Sequence, residues 1–99
     1  MAVMEKTSEP WLQYYQQFTR RLERIPQDAF DRRTLLYEAA HDAYEHTTND
    51  LTDAGWNSDR ALVIARMFGS VVKEWVDGGG EDVQDLREEL KSQYENWAG

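Results

Sequence analysis

Apolar residues recur at steps of three and four along four stretches of the chain, with polar residues on the intervening positions. The first stripe runs Trp11, Tyr14 or Tyr15, Phe18, Leu22 and Ile25. That period predicts an amphipathic helix. Ser8 is a good N-cap for it, with Glu9 and Pro10 in the first turn, and Pro26 closes it by disfavouring the helical basin at the preceding residue. The second stripe runs Leu35, Leu36, Ala39, Ala40, Ala43, Tyr44, Thr47 and Leu51, and Gly55 supplies its C-terminal stop. Thr47-Thr48-Asn49-Asp50 is weak helix-forming sequence and marks a place for a bend or break. Phe30 falls in a short turn ahead of this helix.

The third stripe is the broadest. Ala61, Leu62, Ile64, Ala65, Phe68, Val71, Val72, Trp75 and Val76 cover a wide face, as expected of the most buried helix in a bundle. Asn57 or Ser58 caps it. Gly69 lies within it at a cost of about 1 kcal/mol relative to Ala, which close helix contact would explain. Gly78-Gly79-Gly80 ends it and makes a turn. Val83, Leu86, Leu90, Tyr94 and Trp97 form the fourth stripe, capped by Asp82 or Gly80, with Glu81, Asp82 and Asp85 favouring its N-terminal dipole. No stretch alternates as a strand would.

The expected elements are helices over 9–25, 29–53, 58–77 and 82–97, in one all-α domain spanning 1–99. Short connections make sequential helices antiparallel neighbours. An up-down four-helix bundle is the first architecture. A three-helix core with a terminal helix exchanged in a homodimer is the second.

Composition narrows the function classes. The chain has 99 residues, no cysteine and two prolines. No disulfide, thiolate metal site or cysteine nucleophile is available to it. Nineteen acids against eleven Lys and Arg leave a net charge of −8. That disfavours direct binding to nucleic acid or an anionic membrane, which needs a basic face. No apolar h-region opens the chain, and the longest apolar run is Ala61–Ala65, so a cytoplasmic protein is expected. The charge is uneven. Residues 1–26 carry net +1, residues 27–55 net −5 and residues 81–99 net −4. Arg20, Arg21 and Arg24 form a small basic cluster suited to pairing with acids on a neighbour or a second copy.

Catalytic patterns are thin. Glu38 and His41 have the i, i+3 spacing of carboxylate-bridged metal bundles, but His46 has Ala43 three before it, so the second such pair is missing. The two histidines are also five apart, where a helical zinc pair needs four. Glu38, His41 and His46 are therefore weak metal candidates, and no cofactor is expected. No nucleophile elbow or phosphate loop is present, and Gly78-Gly79-Gly80 reads as a linker.

Four Trp and five Tyr in so short a chain exceed what a small core hides. Aromatics rimmed by acids and Arg are usual at protein interfaces. The expected function is a non-enzymatic regulator, adaptor or inhibitor that binds a larger, basic protein. Its expected contact surface is the outer faces of the second and fourth helices. Glu38, Asp42, Glu45, Glu88, Glu89 and Glu95 would steer the partner, and Tyr94 and Trp97 would anchor it. An alternative is mimicry of nucleic acid. Duplex DNA carries one charge per about 1.7 Å, against one per roughly 4 Å for eight charges along a helix of about 30 Å. A metal-binding bundle using Glu38, His41 and His46 is the second alternative.

Overall fold

The structure, a computed structural model, describes residues 10–98, with side chains up to Glu95. The proposed cap at Ser8 and Glu9 and the Trp97 side chain lie outside the described residues. Four α-helices and no strand occur among those residues: α1 (Pro10–Leu22), α2 (Arg32–Asp53), α3 (Ser58–Asp77) and α4 (Val83–Ala98).

Two helix ends differ from expectation. The first helix stops at Leu22 instead of residue 25. Pro26 acts further upstream than its immediate neighbour: Arg24 N–H donates to Arg21 O and Ile25 N–H to Leu22 O, so the chain tightens into three-residue turns before the proline. Ile25 nonetheless packs, half-buried, against the core. The second helix starts at Arg32 instead of residue 29. Residues 26–31 are spent on turns, with Ala29 N–H on Pro26 O and Arg32 N–H on Ala29 O, and Phe30 stands in this segment. Arg32 Nη1 donates back to the carbonyls of Ile25 (3.5 Å) and Pro26 (3.2 Å), the latter shared with Ala29 N–H.

Across Thr47–Asp50, α2 continues unbroken to Asp53. Thr47 and Leu51 are buried in the core, and Thr52 Oγ1 donates to Thr48 O at 2.9 Å. Tertiary packing outweighs weak local propensity here.

The C-termini of α2 and α3 close in the same way. After α2, Gly55 N–H donates to Thr52 O and Trp56 N–H to Leu51 O. After α3, Gly79 N–H donates to Val76 O and Gly80 N–H to Trp75 O. These are Schellman closures, and each places a glycine at positive φ: Gly55 at 103° and Gly79 at 75°. Asn57 caps α3 by accepting from Arg60 N–H at 3.1 Å. Asp82 Oδ1 accepts from Gln84 N–H at 2.9 Å ahead of α4.

Gly80 answers a steric need of another kind. The Trp75 indole lies over its Cα, so that a Cβ there would overlap the ring. The ring has little room to yield, because its Nε1 donates to Asp82 O (3.3 Å) and its edge meets Phe18 (6.2 Å, 88°). Gly80→Ala is expected to destabilise by about 1–3 kcal/mol through overpacking. Urea unfolding of the variant checks this, and an unchanged midpoint would mean the indole can swing aside.

In the packing order α1 adjoins α2 and α4, α3 adjoins α2 and α4, and α1 also reaches α3 across the middle. α2 and α4 lie across the bundle from each other. The overall extents are 40 × 26 × 25 Å. α3 contributes most to the core, with Ala61, Ile64, Ala65, Phe68, Val71, Val72 and Val76 buried. Trp11, Tyr14 and Phe18 face it from α1, Leu36, Ala39, Ala43 and Leu51 from α2, and Leu86 and Leu90 from α4. Phe68 stacks on Tyr14 (5.2 Å between centroids) and meets Phe18 edge-on (6.1 Å). Of the first tyrosine pair, Tyr14 is the buried one and Tyr15 is half-buried.

Burial of Tyr14 obliges its hydroxyl to find partners. It donates to Ala61 O at 3.2 Å, which leaves Thr48 Oγ1, at 2.9 Å, to donate to it. Burial pushes the phenol above its usual range despite the Thr48 bond. One residue thereby ties α1 to both α2 and α3. Among the described residues, no helix is long and apolar enough to cross a membrane.

Candidate functional site

The faces of α2 and α3 that turn away from the core meet along a solvent-open seam. From α2 come Arg33, Tyr37, Ala40, His41 and Tyr44, which fall on one helical face. From α3 come Gly69, Lys73 and Asp77, four residues apart. Together they line a hollow of about 460 Å³. It runs on over α2 into a second hollow of about 340 Å³ among Thr34, Tyr37, Glu38, His41 and Asp42.

The walls are aromatic and the floor is small. His41 stacks on Tyr44 (6.1 Å, 13°), and the Arg33 guanidinium sits 5.8 Å from the Tyr37 ring centre. Gly69 does not serve close helix contact, contrary to expectation. An added Cβ would meet nothing within 4 Å. The residue therefore weakens α3 by about 1 kcal/mol relative to Ala and leaves the floor of the seam open.

One end of the seam is closed by a charge cluster. Asp77 accepts from Arg33 Nη2 (2.6 Å), from the Tyr37 hydroxyl and from Lys73 Nζ (3.2 Å). The Tyr37 hydrogen bond first, and then the Arg33 bond, hold its carboxyl down at about 2 against a usual 3.8. The same contacts raise Arg33. The sign of the linkage follows. A carboxylate favoured by the fold adds stability in full above its unfolded value, near pH 4, and loses it as pH falls through about 2. The stability difference between wild type and Asp77→Asn is therefore expected to be constant above about pH 5 and to shrink steadily from pH 4 to pH 2. Urea midpoints over that range check it. A difference that does not change with pH would deny Asp77 its ionised role.

The acids expected to meet a partner are all exposed, but not together. Glu38, Asp42 and Glu45 form one stripe along α2 beside the seam. Glu88, Glu89 and Glu95 lie on α4, across the bundle. There Glu88 accepts from Gln84 Nε2 and Glu89 from Gln93 Nε2. Tyr94 is half-buried against the core and presents less surface than a free anchor would. The basic cluster of Arg20, Arg21 and Arg24, the last of them past the end of α1, takes no part in an ion pair among the described residues. Arg21 turns to its own helix, donating to Gln17 O and Oε1, while Arg20 and Arg24 are exposed.

Glu38, His41 and His46 do not converge. His41 Nε2 lies 2.7 Å from Glu45 Oε1 and His46 Nε2 lies 3.5 Å from Asp50 Oδ2, each on its own part of α2. Among the described residues, no group of three or more His, Asp or Glu side chains is placed to hold a metal ion. Phe30 stands fully exposed in the turn before α2, three residues ahead of Arg33 at the end of the seam.

Arg33, Tyr37, Lys73 and Asp77 were not among the residues singled out by pattern. Arg33 and Tyr37, like Lys73 and Asp77, are spaced i, i+4 off the core stripes. Such spacing means little until α2 and α3 are known to be neighbours. Comparison with known proteins finds no matching family model, no similar curated protein and no similar solved structure.

Proposed function

We propose that this chain is a small, acidic, non-enzymatic protein-binding module: a regulator, adaptor or inhibitor of a larger partner with a basic surface, acting in the cytoplasm. The observation that carries the reading is the α2–α3 seam, an open hollow with aromatic walls, edged on α2 by exposed acids. Hollows of about 300–1,000 Å³ with apolar walls and a few polar groups are usual for binding sites. The polar groups at its end are committed to one another through Asp77, which supports a recognition role over acid–base chemistry.

The split of the acids between α2 and α4 favours a mixed apolar and ionic contact over mimicry of a continuous phosphate strip. Affinity capture from nuclease-treated lysate of the source cell, washed at low and at high salt, tests the reading. A protein partner retained through high salt is expected. Recovery of the bait alone would overturn it, and a nucleic-acid-binding protein lost at high salt would replace it with mimicry.

A further inference from the structure

We infer, on the basis of that reading, that the α2–α3 seam receives an amphipathic helix of the partner, its apolar stripe against Ala40 and Gly69 and its basic flank against Glu38 and Asp42. Shape supports a helix. The seam follows two antiparallel helices, and the twelve residues from Arg33 to Tyr44 span about 16 Å, three turns of an opposing helix. Small side chains at the centre of such a seam let a third backbone come close. Ala40 lies in its floor, and nothing stands within 4 Å of where a Gly69 Cβ would be. Tyr37 and Tyr44 flank that opening. This is the arrangement of helix-in-groove recognition, which reads anchors at i, i+3 or i+4, and i+7. A peptide docking by strand addition would need an exposed sheet edge, and no strand occurs among the described residues. A helix brings its own bonds already made.

Charge selects the partner's sign. Arg33 and Lys73 at the end of the seam share the single carboxylate of Asp77, so that end keeps one net positive charge and the negative edge lies farther along α2. Glu38 and Asp42 line the adjoining hollow and form no ion pair with Lys or Arg among the described residues. The uncompensated edge is negative, and it fits Lys or Arg flanking an apolar stripe. A second copy fits poorly. The basic helix of this chain is α1, and its apolar stripe, Trp11, Tyr14 and Phe18, is buried in its own core.

The test uses the full chain, labelled with ¹⁵N, and an 18-residue amphipathic helical peptide of Leu and Lys, with a Leu–Glu peptide of the same pattern as control. The Leu–Lys peptide is expected to shift the amides around Ala40, Tyr44 and Gly69. The control peptide is expected to leave them unmoved. Gly69→Leu fills the hollow with a better helix former. It is expected to weaken binding at least tenfold while Tm stays level or rises. Equal binding by Gly69→Leu, or shifts centred on α1 or α4, would overturn the assignment of the seam and leave the interaction reading to another surface. Concentration-dependent shifts of the same amides without peptide, with a dimer in sedimentation velocity, would make a second copy the occupant and overturn it too. Absence of peptide binding together with recovery of the bait alone from lysate would remove both readings.

Discussion

Truncation of Phe68 to Ala is expected to lower the unfolding free energy by about 3–5 kcal/mol. The ring is fully buried on α3, the helix that contributes most of the core. It stacks on Tyr14 and meets Phe18 edge-on, so it is one of the contacts that hold α1 to α3. The loss has two parts. The removed ring no longer leaves water, and the space it filled closes only in part, because its neighbours are themselves anchored. Tyr14 is pinned to Ala61 O and Thr48, and Phe18 is braced by the Trp75 edge. For a chain of this size, 1 kcal/mol corresponds to about 4–8 °C in Tm, so a fall of roughly 12–40 °C is expected. Urea unfolding at constant m-value measures the free energy directly. A cost below about 1 kcal/mol would mean that the core can collapse around the vacancy and that α1 is held by other contacts.

The helices and the core were readable because burial imposes a period on the sequence. Trp11 to Phe18, Ala61 to Val76, and Leu86 to Leu90 occupy the positions that steps of three and four require. Gly55 and Gly79 mark helix ends because few other residues adopt their φ. What pattern missed has local or long-range causes. Ends of α1 and α2 moved by three residues because the Pro26 turn draws on carbonyls upstream and on Arg32 downstream. α2 runs through its weak stretch because Thr47 and Leu51 find a core that propensity does not register. The acids of α2 and α4 were legible as exposed charge, but their separation depends on bundle order. The seam was the least legible feature. Asp77 gathers Arg33 and Tyr37 from 44 and 40 positions earlier, and no periodicity within one helix reports a pairing between two. Gly69 had a signal, a glycine inside a strong helix, but the reason lay in empty space.

Replacing Glu38, Asp42 and Glu45 together by Lys is expected to slow association with a basic partner ten- to a hundredfold at low salt. The three acids share one exposed stripe beside the seam, so a partner approaching it meets their combined field. Stability should change little, since exposed substitutions outside specific contacts stay within about 0.5 kcal/mol each. Glu45 is the one with a visible partner, His41. The same change at Glu88, Glu89 and Glu95 alters net charge equally but on α4, across a bundle 25–26 Å wide. At 0.1 M salt the Debye length is about 10 Å, so charge on that side is screened from the seam. The α4 variant should therefore slow association much less, and raising the salt should erase the difference between the two. Stopped-flow binding of the captured partner, or of the Leu–Lys peptide, measures both rates. Equal slowing by the two variants would assign the attraction to net charge and take the local role from α2. No slowing by either would make the acids a matter of solubility, and the aromatic walls of the seam would then have to carry recognition without electrostatic guidance.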